Sequence, residues 1–106
     1  MTQPSANRTV TIVNAQGLHA RPAYLFAQLA SQFDAEVSVT YEGERVDGTS
    51  ILSILTLGVA KGGRIVIEAR GSDAGGAVTA LAELVENEFP SPEGKRDDDA
   101  RQPPSE

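Results

Sequence analysis

Residues 8–33 read RTVTIVNAQGLHARPAYLFAQLASQF, and the architecture of the chain follows from this segment. Val10 and Ile12 alternate with Thr9, Thr11 and Val13, which is typical of a strand with one buried face. After a break at residues 14–17 the apolar period becomes helical. The residues that share the apolar face are Ala23, Phe26, Ala27, Ala30 and Phe33, with Leu29 beside them. Pro22 fits the first turn of this helix, where a missing N–H costs nothing.

The residues after this segment predict three more strands and two more helices. Alternation indicates strands at residues 37–41 and 64–70, and the turn at residues 42–43 predicts a short return strand at residues 44–47. Ser50 is a candidate N-cap for a short helix that stops at Gly58, and Ser72 is a candidate N-cap for a last helix. The predicted order is β-α-β-β-α-β-α. Because the strands are half-buried, we expect an α+β fold with helices on one face of an antiparallel sheet.

The ends of the chain differ in composition from its middle. Residues 1–7 are polar and predict a flexible lead, whereas residues 8–89 predict one domain. Residues 90–106 form an acidic, Pro-rich tail without large apolar side chains, so we expect this tail to be disordered.

Composition excludes several function classes. The formal net charge of −6 argues against binding to nucleic acids and to anionic membranes. Cysteine is absent and histidine occurs once, so a closed zinc site is not expected, nor is any other metal or cofactor. The chain has neither an 18-residue apolar run nor an apolar N-terminal segment of the secretory kind. We therefore expect a cytoplasmic protein, with a monomer as the default state.

His19 is the candidate for chemistry, since it lies where the first strand gives way to a helix. The first helical turn presents unpaired N–H groups and the positive end of the helix dipole, both of which favour a phosphate. A free imidazole is mostly unprotonated at neutral pH and can attack phosphorus and leave again. Arg21 can pair with phosphoryl oxygens, and Gly17 allows a tight turn. The alternative is a small ligand-binding domain in which His19 is incidental.

Two segments resemble known motifs. Residues 17–22, GLHARP, resemble the active-site signature of the HPr family, the histidine phosphocarriers of the bacterial phosphoenolpyruvate-dependent phosphotransferase system. Residues 49–58, TSILSILTLG, are similar to the regulatory-serine segment of that family. The resemblance extends over residues 8–89. It implies the open-faced β-sandwich, with four antiparallel strands and three helices on one side.

The resemblance also implies roles for single residues. His19 would carry the phosphoryl group on Nδ1 and Arg21 would steady it, with the backbone of Gly17 and Ala20 contacting the phosphate. The donor would be enzyme I and the acceptor an EIIA-type domain in sugar transport, so the protein would be a stoichiometric carrier and not an enzyme. We expect a docking patch beside His19 that consists of Ala20, Ile51, Leu52 and Leu55.

Ser50 has two interpretations that can hold together. It falls where some family members are phosphorylated by HPr kinase/phosphorylase, and a phosphate there would place a dianion on the apolar docking surface. It can also simply cap a helix. An alternative function follows from the first interpretation: a regulatory protein-binding module, in a nitrogen-related or other branch, whose phosphorylation state selects partners without sugar transport.

Overall fold

The structure, a computed structural model, describes residues 3–90. It contains four strands and three helices in the predicted order. The elements are β1 (Ser5–Thr11), α1 (Ala20–Ala30), β2 (Glu36–Tyr41), β3 (Glu44–Asp47), α2 (Ile51–Thr56), β4 (Arg64–Arg70) and α3 (Ala74–Glu86). No helix within these residues is both long and apolar enough to cross a bilayer. The predicted tail lies outside the described residues except for Pro90.

The four strands form one antiparallel sheet in the order β1-β4-β2-β3. β4 is central, and its two ends pair with the two ends of β1, in the register Ser5↔Arg70 to Thr11↔Arg64. The turn after β1 therefore lies at the Arg64 end of the sheet. The segment that joins α2 to β4 lies at this end too, because the N–H of Ile12 donates a backbone hydrogen bond to the carbonyl of Gly63.

The core lies between the sheet and the helices. Alternate residues of β2 and β4 are buried, among them Val39, Ile65 and Ile67, while their neighbours face the open side. α3 packs against β1 and β4, and α1 packs against α2 and α3. Phe26 of α1 is fully buried. The predicted α+β architecture, a four-stranded antiparallel sheet with three helices on one face, is confirmed.

β1 begins earlier than the sequence indicates. Residues 5–7 belong to the segment predicted as a flexible lead, yet they form the first part of the strand. They are held by pairing with Glu68–Arg70, and the carbonyl of Pro4 accepts a hydrogen bond from the N–H of Gly71. These contacts join residues far apart in the chain, so no local pattern reveals them.

The predicted cap of the last helix is also corrected. α3 begins at Ala74, and Asp73 rather than Ser72 occupies the N-cap position. The hydroxyl of Ser72 instead donates to Oδ2 of Asp34 at 2.7 Å, and Oδ2 of Asp73 accepts from the N–H of Asp34 at 2.7 Å. Both potential capping groups thus secure the loop between α1 and β2.

Candidate functional site

The loop between β1 and α1 is held by backbone hydrogen bonds to the segment that precedes β4. The N–H of Ile12 donates to the carbonyl of Gly63 at 2.8 Å, and the N–H of Gly62 donates to the carbonyl of Ile12 at 2.7 Å. Further along, the N–H of Leu18 donates to the carbonyl of Val59 at 2.9 Å. Leu18 is itself buried in the core. The residue next to it, His19, therefore starts from an anchored backbone.

Gly17 occupies a position that no other residue type fits. Its φ is +70°, in the left-handed region that favours glycine. A Cβ atom there would meet the backbone of the opposite segment, including the carbonyl oxygen of Val59 and, at 2.9 Å, the Cα of Ala60. The close approach of these two backbones is what aligns Leu18 with Val59. The tight turn expected at Gly17 is therefore present.

Replacing Gly17 by alanine is expected to lower the free energy of unfolding by about 3 kcal/mol, from a strained φ combined with a backbone clash. The matched control is Gly58→Ala, since Gly58 has a φ of +63° and nothing within 4 Å of its Cβ position. The control carries the φ penalty alone, about 1 kcal/mol. Denaturant unfolding of both variants measures the difference. Equal losses of unfolding free energy in the two variants would show that the close backbone contact at Gly17 does not contribute to stability.

His19 is the N-cap residue of α1. Its backbone is extended, with φ −87° and ψ −164°, and its carbonyl accepts the N–H of Ala23 at 2.9 Å. Its side chain makes no capping hydrogen bond within the described residues and is half-buried. The backbone of His19 thus starts the helix, while the imidazole stays available at its N-terminal end.

The first turn of α1 has the features that an anion requires. The N–H of Ala20 has no hydrogen-bond partner among residues 3–90, and this turn carries no acidic side chain to offset the helix dipole. Pro22 contributes no N–H and is fully buried, which fixes the turn against the core. The guanidinium-bearing side chain of Arg21 is exposed on the same turn. The imidazole of His19, the helix N-terminus and the side chain of Arg21 therefore belong to one helical turn.

Ser50 and the residues after it lie on α2, which packs against α1. Ser50 is the N-cap of α2, and its hydroxyl oxygen accepts the N–H of Ser53 at 3.2 Å. Its capping role is therefore present in the structure. Ile51 and Leu52 are exposed by 37% and 76%, whereas Leu55 is half-buried against the core. Of the predicted docking residues, Ala20, Ile51 and Leu52 face solvent most openly.

Two residues near the site are not among those predicted from the sequence. Tyr24 is 47% exposed on α1, four residues after Ala20 and so on the same helix face. The sequence feature that points to Tyr24 is an aromatic residue that lies outside the apolar face of the helix. Asn14 donates from Nδ2 to the carbonyl of Gly17, while the N–H of Gly17 donates to the carbonyl of Asn14 at 3.0 Å. The signal was Asn at the first position of a turn with Gly at the fourth.

A groove of about 780 Å³ lies elsewhere, along the sheet. Its lining includes Ser38, Arg45 and Glu68 and does not include His19. The groove is therefore separate from the candidate site at the start of α1.

The comparisons with known proteins agree on one family. The family model for the PTS HPr component phosphorylation site matches residues 6–87. A solved HPr structure from Thermoanaerobacter tengcongensis is 40% identical, covers 79% of this chain and 94% of its own, and superimposes with a TM-score of 0.77. The phosphocarrier protein HPr from Bacillus anthracis is 38% identical, with coverages of 76% and 96% and a TM-score of 0.73.

A third similar structure is that of a protein named for catabolite repression. The Bacillus subtilis catabolite repression protein Crh is 34% identical, with coverages of 77% and 94% and a TM-score of 0.64. That structure is described as a dimer with a swapping domain.

Proposed function

This chain belongs to the HPr family, and on that basis we propose that it accepts a phosphoryl group from phosphorylated enzyme I on Nδ1 of His19 and passes it to an EIIA-type protein. The observation that carries the proposal is the placement of His19. Its imidazole stands at the N-terminus of α1 without a capping bond in the described structure, on the same helical turn as Arg21.

The transfer needs one nucleophile and groups that offset the charge on the phosphoryl oxygens. The lone pair of Nδ1 attacks phosphorus, a P–N bond forms, and the bond to the donor breaks with its electron pair leaving on the donor. The reverse sequence delivers the group to the acceptor. Arg21 and the N–H of Ala20 offset the charge on the three phosphoryl oxygens, and the tight turn at Gly17 lets the backbone approach them.

Both reaction partners of such a carrier are proteins. The carrier is consumed and regenerated in stoichiometric steps, so it needs no substrate pocket and no cofactor. We infer that partners dock on the exposed side chains of Ala20, Ile51 and Leu52, with Leu55 beneath them, and that a monomer in the cytoplasm presents this surface.

The direct test is a labelling experiment on the full chain. Enzyme I encoded by the same genome and labelled phosphoenolpyruvate are expected to transfer one acid-labile phosphoryl group per chain, which peptide mapping places on His19. Addition of an EIIA-type protein is expected to remove the label. A chain that stays unlabelled, or that carries an acid-stable label on another residue, would contradict the proposal.

A second candidate function is regulation through Ser50. The similarity to the catabolite repression protein Crh favours it, as does the position of Ser50 immediately before the exposed Ile51 and Leu52. A phosphate on the Ser50 hydroxyl would place about two negative charges beside these apolar side chains. Because that charge would have to be desolvated, it would weaken the docking of one partner. The same charge would change the surface that a different partner meets.

Two substitutions at Ser50 separate capping from charge. Ser50→Ala is expected to cost about 1 kcal/mol of unfolding free energy because the bond to Ser53 is lost, with phosphoryl transfer from enzyme I unchanged. Ser50→Asp keeps a capping oxygen, so its stability is retained, but its affinity for the EIIA-type partner is expected to fall about tenfold. Thr79→Asp adds the same charge on α3 and serves as the control. Equal affinities of the two aspartate variants would remove Ser50 from the docking surface.

A further inference from the structure

We propose that Asn14 is a positioning residue for phosphoryl transfer, which it controls through the orientation of the loop that ends in His19. The role rests on the proposed function, since it concerns the same histidine. It goes beyond that function because Asn14 lies outside the GLHARP segment.

Asn14 and Gly17 are joined by two hydrogen bonds in opposite directions. The N–H of Gly17 donates to the carbonyl of Asn14 at 3.0 Å, which closes the turn over residues 14–17. The side-chain Nδ2 of Asn14 donates to the carbonyl of Gly17. The peptide group between Gly17 and Leu18 is therefore held at its oxygen by Asn14 and at its N–H by the carbonyl of Val59, at 2.9 Å.

The two polar atoms of the Asn14 side chain differ in their contacts. Oδ1 of Asn14 is buried and has no hydrogen-bond partner among residues 3–90. Burying an unpaired amide oxygen is unfavourable, and an apolar side chain of similar volume would avoid that cost. The side-chain contact that Asn14 does make is through Nδ2, which holds the carbonyl of Gly17.

The held peptide group leads directly to the reacting ring. Leu18 is buried, and His19 follows it as the N-cap of α1. Without Nδ2 the carbonyl of Gly17 loses its restraint, so the peptide group is held only by the bond from the N–H of Leu18 to the carbonyl of Val59, which then opens more often. The imidazole of His19 then samples orientations away from in-line attack, and small misplacements of reacting groups cost large factors in rate.

The test uses Asn14→Leu in the full chain, because leucine removes both the useful donor and the unpaired oxygen. We expect kcat for phosphoryl transfer from enzyme I to fall about tenfold, with KM unchanged because the docking surface is untouched. The denaturant midpoint should stay close to that of the wild type, because removal of the unpaired Oδ1 offsets the loss of the donor to the Gly17 carbonyl. Exchange of the Leu18 amide proton should become faster, a readout that needs no partner protein.

Two further variants complete the design. Asn14→Asp keeps the shape but sets an oxygen against the carbonyl of Gly17, so its kcat should fall at least as far. Asn7→Leu makes the same substitution on the exposed face of β1 and should leave kcat unchanged.

The outcomes separate this proposal from the proposed function. Wild-type labelling at His19 with an unaltered kcat and Leu18 exchange in Asn14→Leu would overturn the role of Asn14 alone. A kcat loss that merely follows a loss of stability would also overturn it. Absence of label on the wild-type chain would overturn the proposed function, and with it the positioning role.

Discussion

Chains that carry His19→Ala are expected to take up no acid-labile phosphoryl group, a loss of about 10⁴-fold or more in acceptance rate, because no other side chain at the start of α1 can serve as the nucleophile. The fold should tolerate the change. The imidazole makes no capping hydrogen bond within residues 3–90, and the backbone bond from Ala23 to the carbonyl of His19 is independent of the side chain. We expect the unfolding free energy to change by less than about 1 kcal/mol.

The measurement pairs phosphate uptake with denaturant unfolding on the same preparation. Gln16→Ala, an exposed position in the same loop, is the control and should label like the wild type. Uptake by the alanine variant at the wild-type rate would place the chemistry on another residue. A variant that loses both label and folded structure would instead assign His19 a structural role.

The strands and helices could be predicted from the local sequence because buried and exposed residues recur with a short period. Val37 and Val39 on β2, and Ile65 and Ile67 on β4, are buried while the residues between them are not. The same logic fails for residues 5–7, which carry no large apolar side chain and form strand only because β4 offers them partners. Pairing between distant segments cannot be inferred from the composition of either one.

The caps show the same division between local and distant causes. Ser50 was predicted as the cap of α2 and acts as one, since its partner Ser53 lies three residues away. Ser72 was predicted as the cap of α3 and does not act as one, because Asp34 competes for its hydroxyl from 38 residues away. A capping residue chosen from sequence is therefore reliable only where no tertiary partner is within reach.

Within the candidate site, the start of α1 could be predicted because the motif and the helix begin together. Gly17 was expected to allow a tight turn, and its φ of +70° accords with that expectation. The closeness of Val59 and Ala60 to Gly17 could not be predicted, since it depends on how the segment before β4 returns to the loop. The bonds between Asn14 and Gly17 have a local signal, Asn at the first position of a turn with Gly at the fourth, whereas the burial of the Oδ1 atom of Asn14 depends on tertiary packing.

Reversing the charge at Arg21 is expected to slow phosphoryl acceptance by about 10²- to 10³-fold, the range seen when a preorganised group that stabilises transition-state charge is removed. Arg21→Glu replaces a permanent cation on the first turn of α1 with an anion close to where the phosphoryl oxygens would lie. Arg21→Lys keeps the charge but not the planar fork, so a smaller loss, about tenfold, is expected. Because Arg21 is exposed, both variants should unfold within about 1 kcal/mol of the wild type.

Salt and a matched control distinguish contact at the phosphoryl group from long-range attraction of the partner. Arg70→Glu makes the same charge change at the far end of β4, where Arg70 pairs with Glu36 at 3.4 Å. If Arg21 acts only by drawing the partner closer, its deficit should shrink at high ionic strength, because screening shortens the range of the field. A direct contact predicts a deficit in kcat that persists in salt and is absent from Arg70→Glu. Rates unchanged in Arg21→Glu would exclude this guanidinium from the transfer step and leave the helix N-terminus alone to offset the charge.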